Sequence, residues 1–568
     1  MPPNKMLGST ESIPIDTPFV KELNRSLFIE TKDCLLGPMP VGEFMDEFLP
    51  SNRPHPFCPT QGSHGLVNIV CQQFLYAHSI IKLMYPQVLA LRQLGLSTLK
   101  VVDDHTRTNY QRFVVEGLRP SIVVYPNGSE EKGTDFGGME FWIEVVSEGD
   151  VFNDDGEFVP DIDQGGEIVG QLLSYATAQL SSGFWTHCFS VVVFSNGARL
   201  IRWDRAGGVI SERFNVFGDS NPLLEFCQRF DQLHVEQRGH DRSVRQPSQS
   251  LMKTAYDALL PTRDPGESLK SFKSRKTSIS MENLVVFFVK DPETGEQRRF
   301  VGSPPRSPIL SLQGRCTRGC PVFDPQENMV FFLKDTWRVD SPHATREGDT
   351  YKILNQSGVK HVASFVIHAD VGRQTKADEG VCSDIPIDTT SPSDREEPVD
   401  AATHHRNLHE TQTDKFSHKP WLKDRRSRAL GGYVHYRLVI DRVGRDLTSF
   451  GSSREAIQVL MDVITGTLFS YRVYSATNVI APPAHGEAYT KARILHCDIS
   501  IGNMLITPRG RGLLIDWDLA KSVGDEHIPV TSYAVGNLHS CVGCKTYIIF
   551  NEGHMAIYVR CSIGVSVL

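Results

Sequence analysis

Three polar side chains stand between apolar runs at a spacing that suits phosphoryl transfer. Asp498 is followed by Asn503, and Asp516 comes directly after the next apolar run. Phosphoryl transfer requires a carboxylate that accepts the proton of the attacking hydroxyl, and oxygen ligands for the Mg²⁺ ions that neutralise the phosphates of ATP. The spacing H-x-D-x-x-x-x-N with a later Asp predicts Asp498 as the catalytic base and Asn503 and Asp516 as the magnesium ligands.

The apolar residues around these positions predict a β-hairpin that brings the two metal ligands together. The runs MLI and GLLI are typical of short strands, and PRGRG between them is typical of a tight turn. Asn503 and Asp516 would then lie at neighbouring strand ends, while His496 would brace the loop by packing and hydrogen bonding. The alternative is a buried hairpin whose Asp and Asn side chains only cap turns, which accounts for one such residue more easily than for the whole set.

The segments HCDISIGNMLI and DWDLA resemble the fungal-type protein kinase family. The family's loop reads close to H-R-D-I-S-x-G-N-I-L-I, its metal motif reads D-F-D-L-A, and Ser500 and Gly502 are the family's choices. The resemblance implies an α+β, two-lobed kinase-like fold that uses ATP and Mg²⁺ to phosphorylate protein Ser or Thr hydroxyls. Cys497 replaces the Arg that in many kinases grips a phosphorylated activation loop, so that mode of switching is not expected here.

The same resemblance implies a phosphate-binding pair further upstream. Lys334 ends the apolar run NMVFFLK, and Glu347 opens a helical segment. In kinases such a Lys contacts the ATP phosphates and pairs with a helix Glu. The alternative is a surface Lys at a strand end and a Glu in the first turn of a helix. Gly314 and Gly319 do not form G-x-G-x-x-G, so the loop that covers the phosphates is expected to differ from the usual one.

Composition excludes several function classes. The chain of 568 residues has a formal net charge of -8 and a pI near 6.2, so no global basic surface for nucleic acid is expected. The N-terminus lacks the apolar core of a secretory signal, and no uncharged apolar stretch is long enough to span a membrane, which predicts an intracellular protein. The twelve cysteines form no framework and are expected to be reduced thiols. The pairs Cys316/Cys320 and Cys541/Cys544 are not expected to bind zinc.

Changes in composition along the chain predict its domain organisation. Seven regions follow in chain order: a helical N-terminal region (1–110), an α/β accessory domain (111–235), a polar linker (236–280), the kinase small lobe (281–369), a disordered insertion (370–428), the hinge with the catalytic loop and metal motif (429–520), and an atypical tail (521–568).

The accessory domain has the strand, strand, helix, strand, strand order of some metal-dependent nucleases. The resembled family often has an Asp in place of Ser121 and a Lys two residues after Glu144, which would form a D…E-x-K set. Here Ser121 and Val146 stand at those positions, so nuclease activity is not expected. We expect this domain to pack on the kinase.

Two features put the activity of this chain in question. The segment from Thr467 to Ala484, with Pro482 and Pro483, interrupts the helix before the catalytic loop, and its removal would restore the family pattern. It is either a gene-model insertion or a surface loop. After Asp518 no A-P-E-like anchor follows, which predicts an incomplete C-terminal lobe.

Two other function classes stay open. Small-molecule phosphotransferases of the aminoglycoside and choline kinase kind share H-x-D-x-x-x-x-N and often read I-D-W-E where this chain reads IDWD. The Lys-Asp-x-Trp context and the long accessory region favour a protein kinase. A catalytically inactive pseudokinase or scaffold is the other alternative. The protein substrate and the oligomeric state are not predicted.

Overall fold

The computed structural model describes most of the chain. The described residues are 18–51, 96–103, 118–129, 133–146, 149–154, 158–161, 165–194, 197–216, 222–260, 272–273, 279–304, 311–342, 344–372, 408–422, 431–441, 444–469, 484–522, 544–551 and 554–561. Residues 52–95 of the expected helical N-terminal region and most of the expected insertion from Thr467 to Ala484 lie outside them. Among the described residues, every helix is too short or too polar to cross a lipid bilayer.

The N-terminal part of the described chain folds around a seven-stranded mixed sheet. Its elements are α1 (Pro18–Thr31), β1 (Leu35–Met39), α2 (Val41–Phe48), β2 (Leu99–Asp103), β3 (Ile122–Pro126), β4 (Phe141–Val145), α3 (Gly166–Ser182), β5 (Cys188–Phe194), β6 (Gly197–Asp204), β7 (Gly207–Ser211) and α4 (Pro222–Gln232). The strand order is β1-β7-β6-β5-β4-β3-β2. Helix α3 connects the parallel strands β4 and β5 and packs against α1.

Both faces of this sheet are covered by helices. Val123 and Tyr125 contribute to one core with α1 and α3, whereas Ile122 and Val124 of the same strand contribute to a second core with α2 and α4. This two-residue alternation follows from the pleat of a strand. Burial on both faces explains why the strands read as nearly continuous apolar runs.

The expectation that residues 1–110 are a helical region separate from the accessory domain is wrong in two places. Strand β1 pairs in parallel with β7, and β2 pairs antiparallel with β3, so both belong to the accessory sheet. They form its two edges. Edge strands have one partner only and tolerate Pro38, which weakens the strand signal in the sequence.

The expected polar linker from 236 to 280 is also partly wrong. It contains α5 (Val235–Arg238), β8 (Val244–Arg245) and α6 (Gln249–Leu259). Ala255 and Leu259 of α6 are buried against the small lobe, and Ser248 caps the helix by accepting a hydrogen bond from the Leu251 N–H at 3.4 Å. The apolar positions have helical spacing, but the surrounding Ser, Gln and Lys residues make the segment polar overall.

The small lobe is a seven-stranded antiparallel sheet with one helix. Its further elements are β9 (Val285–Lys290), β10 (Gln297–Gly302), β11 (Arg318–Asp324), β12 (Met329–Val339), α7 (Glu347–Gln356), β13 (Phe365–Asp370) and β14 (Tyr433–Ile440). The strand order is β13-β14-β12-β11-β10-β9-β8. Residues of β12 and β14 share a hydrophobic core with the lobe that carries the catalytic loop.

The expected disordered insertion from 370 to 428 contains an ordered segment, residues 408–422. The Thr411 N–H donates to the Tyr433 carbonyl at 2.9 Å, which extends the sheet beside β14. Phe416 of the same segment is buried in the second core of the accessory domain. The segment is ordered because it packs on two domains, which its polar sequence does not reveal.

The part of the C-terminal lobe that the structure describes carries the catalytic loop. Its elements are β15 (Arg445–Asp446), α8 (Ser453–Phe469), α9 (Ala484–Glu487), β16 (Ile494–Leu495), β17 (Met504–Ile506), β18 (Gly512–Leu514) and β19 (Lys521–Ser522). Further along the chain, β20 (Cys544–Asn551) and β21 (His554–Cys561) form a separate two-stranded antiparallel sheet. The expected hairpin is present as β17 and β18, with Met504 opposite Leu514. Helix α8 includes residues 467–469 of the expected insertion, and residues 470–483 lie outside the part of the chain that the structure describes, so the expected interruption stays a prediction.

Candidate functional site

The site is built around an ion-paired group that three separate segments bring together. Lys334 on β12 donates a hydrogen bond to Glu347, the first residue of α7, at 2.7 Å. Its ammonium group also pairs with Asp516, which follows β18. Glu347 is nearly fully buried, and its other oxygen accepts the Trp517 N–H at 3.1 Å. The structure therefore joins Lys334, Glu347 and Asp516, which the sequence places far apart.

The electrostatics of this group favour its charged lysine and aspartate. Burial alone would lower the pKa of Lys334, but the carboxylates of Glu347 and Asp516 outweigh it and raise that pKa above its usual value. Burial would raise the pKa of Asp516, but the Lys334 ammonium holds it below its usual value. Burial raises the pKa of Glu347.

A second ion pair lies beside the first. Asp518 pairs with Arg315 from the loop before β11, and its Oδ2 lies 3.6 Å from the Lys334 Nζ. The Arg315 carbonyl accepts hydrogen bonds from the Trp337 N–H at 2.8 Å and the Thr336 hydroxyl at 3.0 Å. These hydrogen bonds hold the loop against β12, and its Arg315 side chain contacts Asp518 two residues after Asp516.

Three carboxylates at this point could hold a divalent cation. Oxygens of Glu347, Asp516 and Asp518 lie within 4.8 Å of one another. Asn503 lies close by, because its carbonyl accepts the Ile515 N–H at 3.0 Å across the hairpin. Carboxylate and amide oxygens are the ligands that Mg²⁺ prefers.

The catalytic loop is held by the buried ring of His496. The His496 Nδ1 accepts the Asp498 N–H at 3.2 Å, and its Nε2 donates to the Ile515 carbonyl at 2.8 Å. The ring packs edge-on against Trp517, with 4.5 Å between ring centroids. Burial lowers the pKa of His496, so the ring is neutral and bridges the catalytic loop and the metal motif.

Asn503 orients Asp498. Its side-chain Nδ2 donates to the Asp498 carbonyl at 2.8 Å and to the Asp498 Oδ2 at 3.2 Å. Because the amide nitrogen faces Asp498, the Asn503 Oδ1 is the atom left for a cation. The Asp498 side chain is only partly buried, so an acceptor hydroxyl could reach it.

Two residues of the site adopt unusual backbone conformations. Asp516 has a φ of 67° and Cys497, next to Asp498, has a φ of 63°. Residues other than glycine rarely adopt this left-handed region, and each costs of order 1–3 kcal/mol unless the surroundings impose it. Such residues are found more often at functional sites than elsewhere.

Sequence reasoning missed residues that position the site. Asp462 on α8 accepts hydrogen bonds from the Gly512 N–H at 2.7 Å and from Arg511 Nε at 2.8 Å, and so holds the hairpin against the helix. Arg315 was also missed, and its only signal was a basic residue next to Gly314 in the loop between β10 and β11. Neither contact can be read from local spacing, because each joins residues distant in the chain.

The small-lobe sheet carries a strand lysine that pairs with a helix glutamate. Together with the H-x-D-x-x-x-x-N loop of the neighbouring lobe, this arrangement defines a protein kinase-like fold. A sequence model of the family described as fungal protein kinase matches residues 171–541, more than half of the chain. The chain therefore belongs to the fungal protein kinase family, and the resemblance inferred from the catalytic loop is confirmed.

More distant comparisons add little. No curated protein matches the chain. Among solved structures, the chain is similar to the ROP18 kinase domain in complex with AMP-PNP and sucrose, at 12% identity and a TM-score of 0.21. The alignment covers 42% of this chain and 56% of that one, so this chain spans little more than half of that kinase domain.

Proposed function

We propose that this chain binds ATP with Mg²⁺ and transfers the γ-phosphoryl group to a serine or threonine hydroxyl of a protein. The observation that carries the proposal is the convergence of Lys334, Glu347 and Asp516 into one ion-paired group. A lysine that contacts phosphates, a glutamate that holds this lysine and an aspartate that binds metal are the parts that phosphoryl transfer requires.

Asp498 is the group that would accept the proton of the attacking hydroxyl. Asn503 fixes the orientation of its carboxylate, and His496 fixes the backbone N–H of Asp498. Positioning of this kind matters because phosphoryl transfer depends on alignment and charge compensation more than on covalent participation of the protein.

The donor set fits Mg²⁺. Asn503 and Asp516 would hold the ion, with Asp518 as a further oxygen donor next to Asp516. When bound, Mg²⁺ neutralises the charge of the phosphates. In the structure, Lys334 and Arg315 compensate the negative charge of these aspartates. Both cations lie where they could turn from a carboxylate to a phosphate oxygen.

The test separates nucleotide binding from transfer. The first measurement is the thermal unfolding midpoint with Mg²⁺ and AMP-PNP, because a ligand that binds the folded state raises this midpoint. The second is phosphate transfer from ATP to mixed protein acceptors. We expect Asp516→Asn to lose the Mg²⁺-dependent shift, whereas Asp498→Asn should keep it and lose transfer by at least a hundredfold.

Asp446→Asn is the matched control, because Asp446 is exposed and lies outside the site. The proposal fails if the wild-type chain shows no nucleotide-dependent shift, or if Asp498→Asn transfers phosphate as well as the wild type.

A binding-only pseudokinase is the second candidate. It is favoured by the ion pairs of Asp516 and Asp518, because each carboxylate that would bind metal already has a cationic partner. A nucleotide-dependent shift of the wild-type chain without any transfer to protein, aminoglycoside or choline acceptors would support it.

A further inference from the structure

A second cluster of metal-ligand side chains lies away from the phosphoryl-transfer site. It consists of Asp241, His409 and His435, which are 7%, 7% and 4% exposed. One oxygen or nitrogen atom from each residue lies within 4.8 Å of the others. Nothing in the proposed kinase chemistry uses these residues.

Three parts of the molecule contribute to this cluster. Asp241 follows α5, and its N–H donates to the Phe184 carbonyl of the accessory domain at 3.0 Å. His409 belongs to the 408–422 segment and His435 belongs to β14. The His435 N–H donates to the His409 carbonyl at 2.8 Å, so backbone pairing places the two imidazoles side by side.

The distances suit a tetrahedral metal centre. The Nδ1 atoms of His409 and His435 are 3.1 Å apart. The His435 Nδ1 lies 3.8 Å from the Asp241 Oδ2. Two nitrogen ligands on a tetrahedral zinc ion, each at about 2.0–2.1 Å from it, are separated by roughly 3.3 Å.

The two rings have carboxylate neighbours on their other nitrogens. The His435 Nε2 lies 2.8 Å from the Asp335 carboxylate. The His409 Nε2 lies 3.7 Å from the Asp241 carboxylate. The Nδ1 atoms face each other at 3.1 Å, a distance that fits one ring N–H donating to the other ring and also two nitrogen ligands of one metal ion.

Residues around the cluster have the arrangement usual for a metal site. Asp335 orients His435 as carboxylates orient metal-ligating histidines. The Ser243 N–H donates to Asp241 at 2.8 Å and fixes that carboxylate. Arg437 contacts Asp335 at 2.8 Å and Asp241 at 3.3 Å. It compensates about one of the two negative charges, which leaves the other for a cation.

We propose that Asp241, His409 and His435 bind a divalent transition metal ion, with Zn²⁺ as the best fit to two imidazoles and one carboxylate. Tetrahedral coordination would be completed by a fourth, non-protein ligand. The ion clamps the 408–422 segment and β14 to the turn after α5. The ion thereby joins the accessory domain and the small lobe. This proposal does not depend on the proposed kinase activity.

The test measures metal bound to the full chain. The purified protein is incubated with Zn²⁺, desalted, and analysed for zinc content, and a second sample is titrated with Co²⁺. We expect one zinc per chain and a Co²⁺ visible spectrum of tetrahedral type without thiolate charge-transfer bands, which excludes the cysteines. Zn²⁺ should displace the Co²⁺ signal and raise the thermal unfolding midpoint.

His409→Asn and Asp241→Asn should each lose the zinc. His418→Asn should keep it, because His418 is exposed in the same segment. If the two cluster variants do not fold, the wild-type Co²⁺ titration decides. Less than a tenth of an equivalent of zinc, or zinc retained in a folded His409→Asn chain, would overturn the proposal and leave a proton-sharing ion network.

Discussion

At the scale of single residues, the site depends on a few charges that are shared between partners. Lys334 contacts Glu347 and Asp516, while Arg315 contacts Asp518. The partly exposed Arg315 is a member of this group that the sequence did not predict, so its substitution tests how these charges are balanced.

Removal of the Arg315 side chain should increase the affinity of the site for Mg²⁺ in the absence of nucleotide. Asp518 would lose its closest cation and become free to ligand the metal. Because partly exposed ion pairs contribute about 0.2–1 kcal/mol, the expected gain for Arg315→Ala is about 1.4- to 5-fold. The measurement is a Mn²⁺ titration followed by electron paramagnetic resonance.

Arg338→Ala is the matched control for Arg315→Ala. Arg338 on β12 forms an ion pair with Asp370 at 2.6 Å and is also partly exposed. Its removal should leave the affinity for Mn²⁺ unchanged. An Arg315→Ala chain with unchanged or weaker Mn²⁺ binding would contradict the charge balance inferred for Asp518.

At the scale of elements, the β17–β18 hairpin is positioned by its contact with α8. A Cβ atom on Gly512 would lie 2.6 Å from the Val459 carbonyl. We therefore expect Gly512→Ala to push the hairpin away from the helix and to weaken Mg²⁺-dependent AMP-PNP binding by about tenfold, because small displacements of catalytic groups are costly. Isothermal titration calorimetry measures this effect.

Gly431→Ala provides the comparison for Gly512→Ala. A Cβ atom on Gly431 would meet nothing within 4 Å. This variant should bind AMP-PNP as the wild type does. Equal affinities for all three chains would show that the close approach of the hairpin and α8 is not required.

A second element-scale prediction concerns Glu144 on β4. Burial raises its pKa to about 7 from 4.5, although the Ser121 N–H and hydroxyl donate to its carboxylate and oppose the rise. The folded state thus holds the proton more tightly than the unfolded state. The stabilisation from this group is present below pH 4.5 and is lost as the pH rises through about 7.

Glu144→Gln should remove this pH dependence. At pH 8 the variant should be more stable than the wild type by roughly 1–2 kcal/mol, after allowance for the partial exposure of the side chain. At pH 4.5 the two chains should have nearly equal stability. Urea unfolding at both pH values measures the difference, and a variant that is less stable at pH 8 would contradict the direction of the pKa shift.

At the scale of the whole molecule, the 408–422 segment connects the accessory domain to the kinase lobe. Asp204 of the accessory sheet accepts hydrogen bonds from the Gln412 and Thr413 N–H groups at 2.8 and 3.0 Å. Phe416 packs against Phe48, with 5.5 Å between ring centroids. These contacts indicate that the accessory domain is a structural part of the kinase rather than a loosely attached module.

Phe416→Ala should destabilise the chain by about 3–5 kcal/mol, because a large buried ring would be replaced by a cavity. The loss should also increase hydrogen exchange in residues 408–422. Denaturant unfolding and hydrogen exchange measure the two effects. His418→Ala, at an exposed position of the same segment, should change neither, and protection unaltered by Phe416→Ala would contradict the connecting role.

Local patterns predicted the elements whose signals are short in range. The β17–β18 hairpin, the strand that carries Lys334 and the helix that begins at Glu347 all follow from apolar periodicity and turn residues, although the strand continues to Val339 beyond the apolar run that ends at Lys334. Helix α6 was missed because polar residues dilute its apolar face. Strands β1 and β2 were missed because an edge strand has only one partner and a weak pattern.

The sequence alone indicated the family of this protein and the residue types of its proposed phosphoryl-transfer site, because the spacing of residues within a loop is a local property of the chain. The folded structure was needed to show which distant residues meet. The pairing of Arg315 with Asp518, the packing of residues 408–422 on two domains, and the convergence of Asp241, His409 and His435 all depend on how separate segments fold against one another. No local pattern records such contacts, because their partners are distant in the chain.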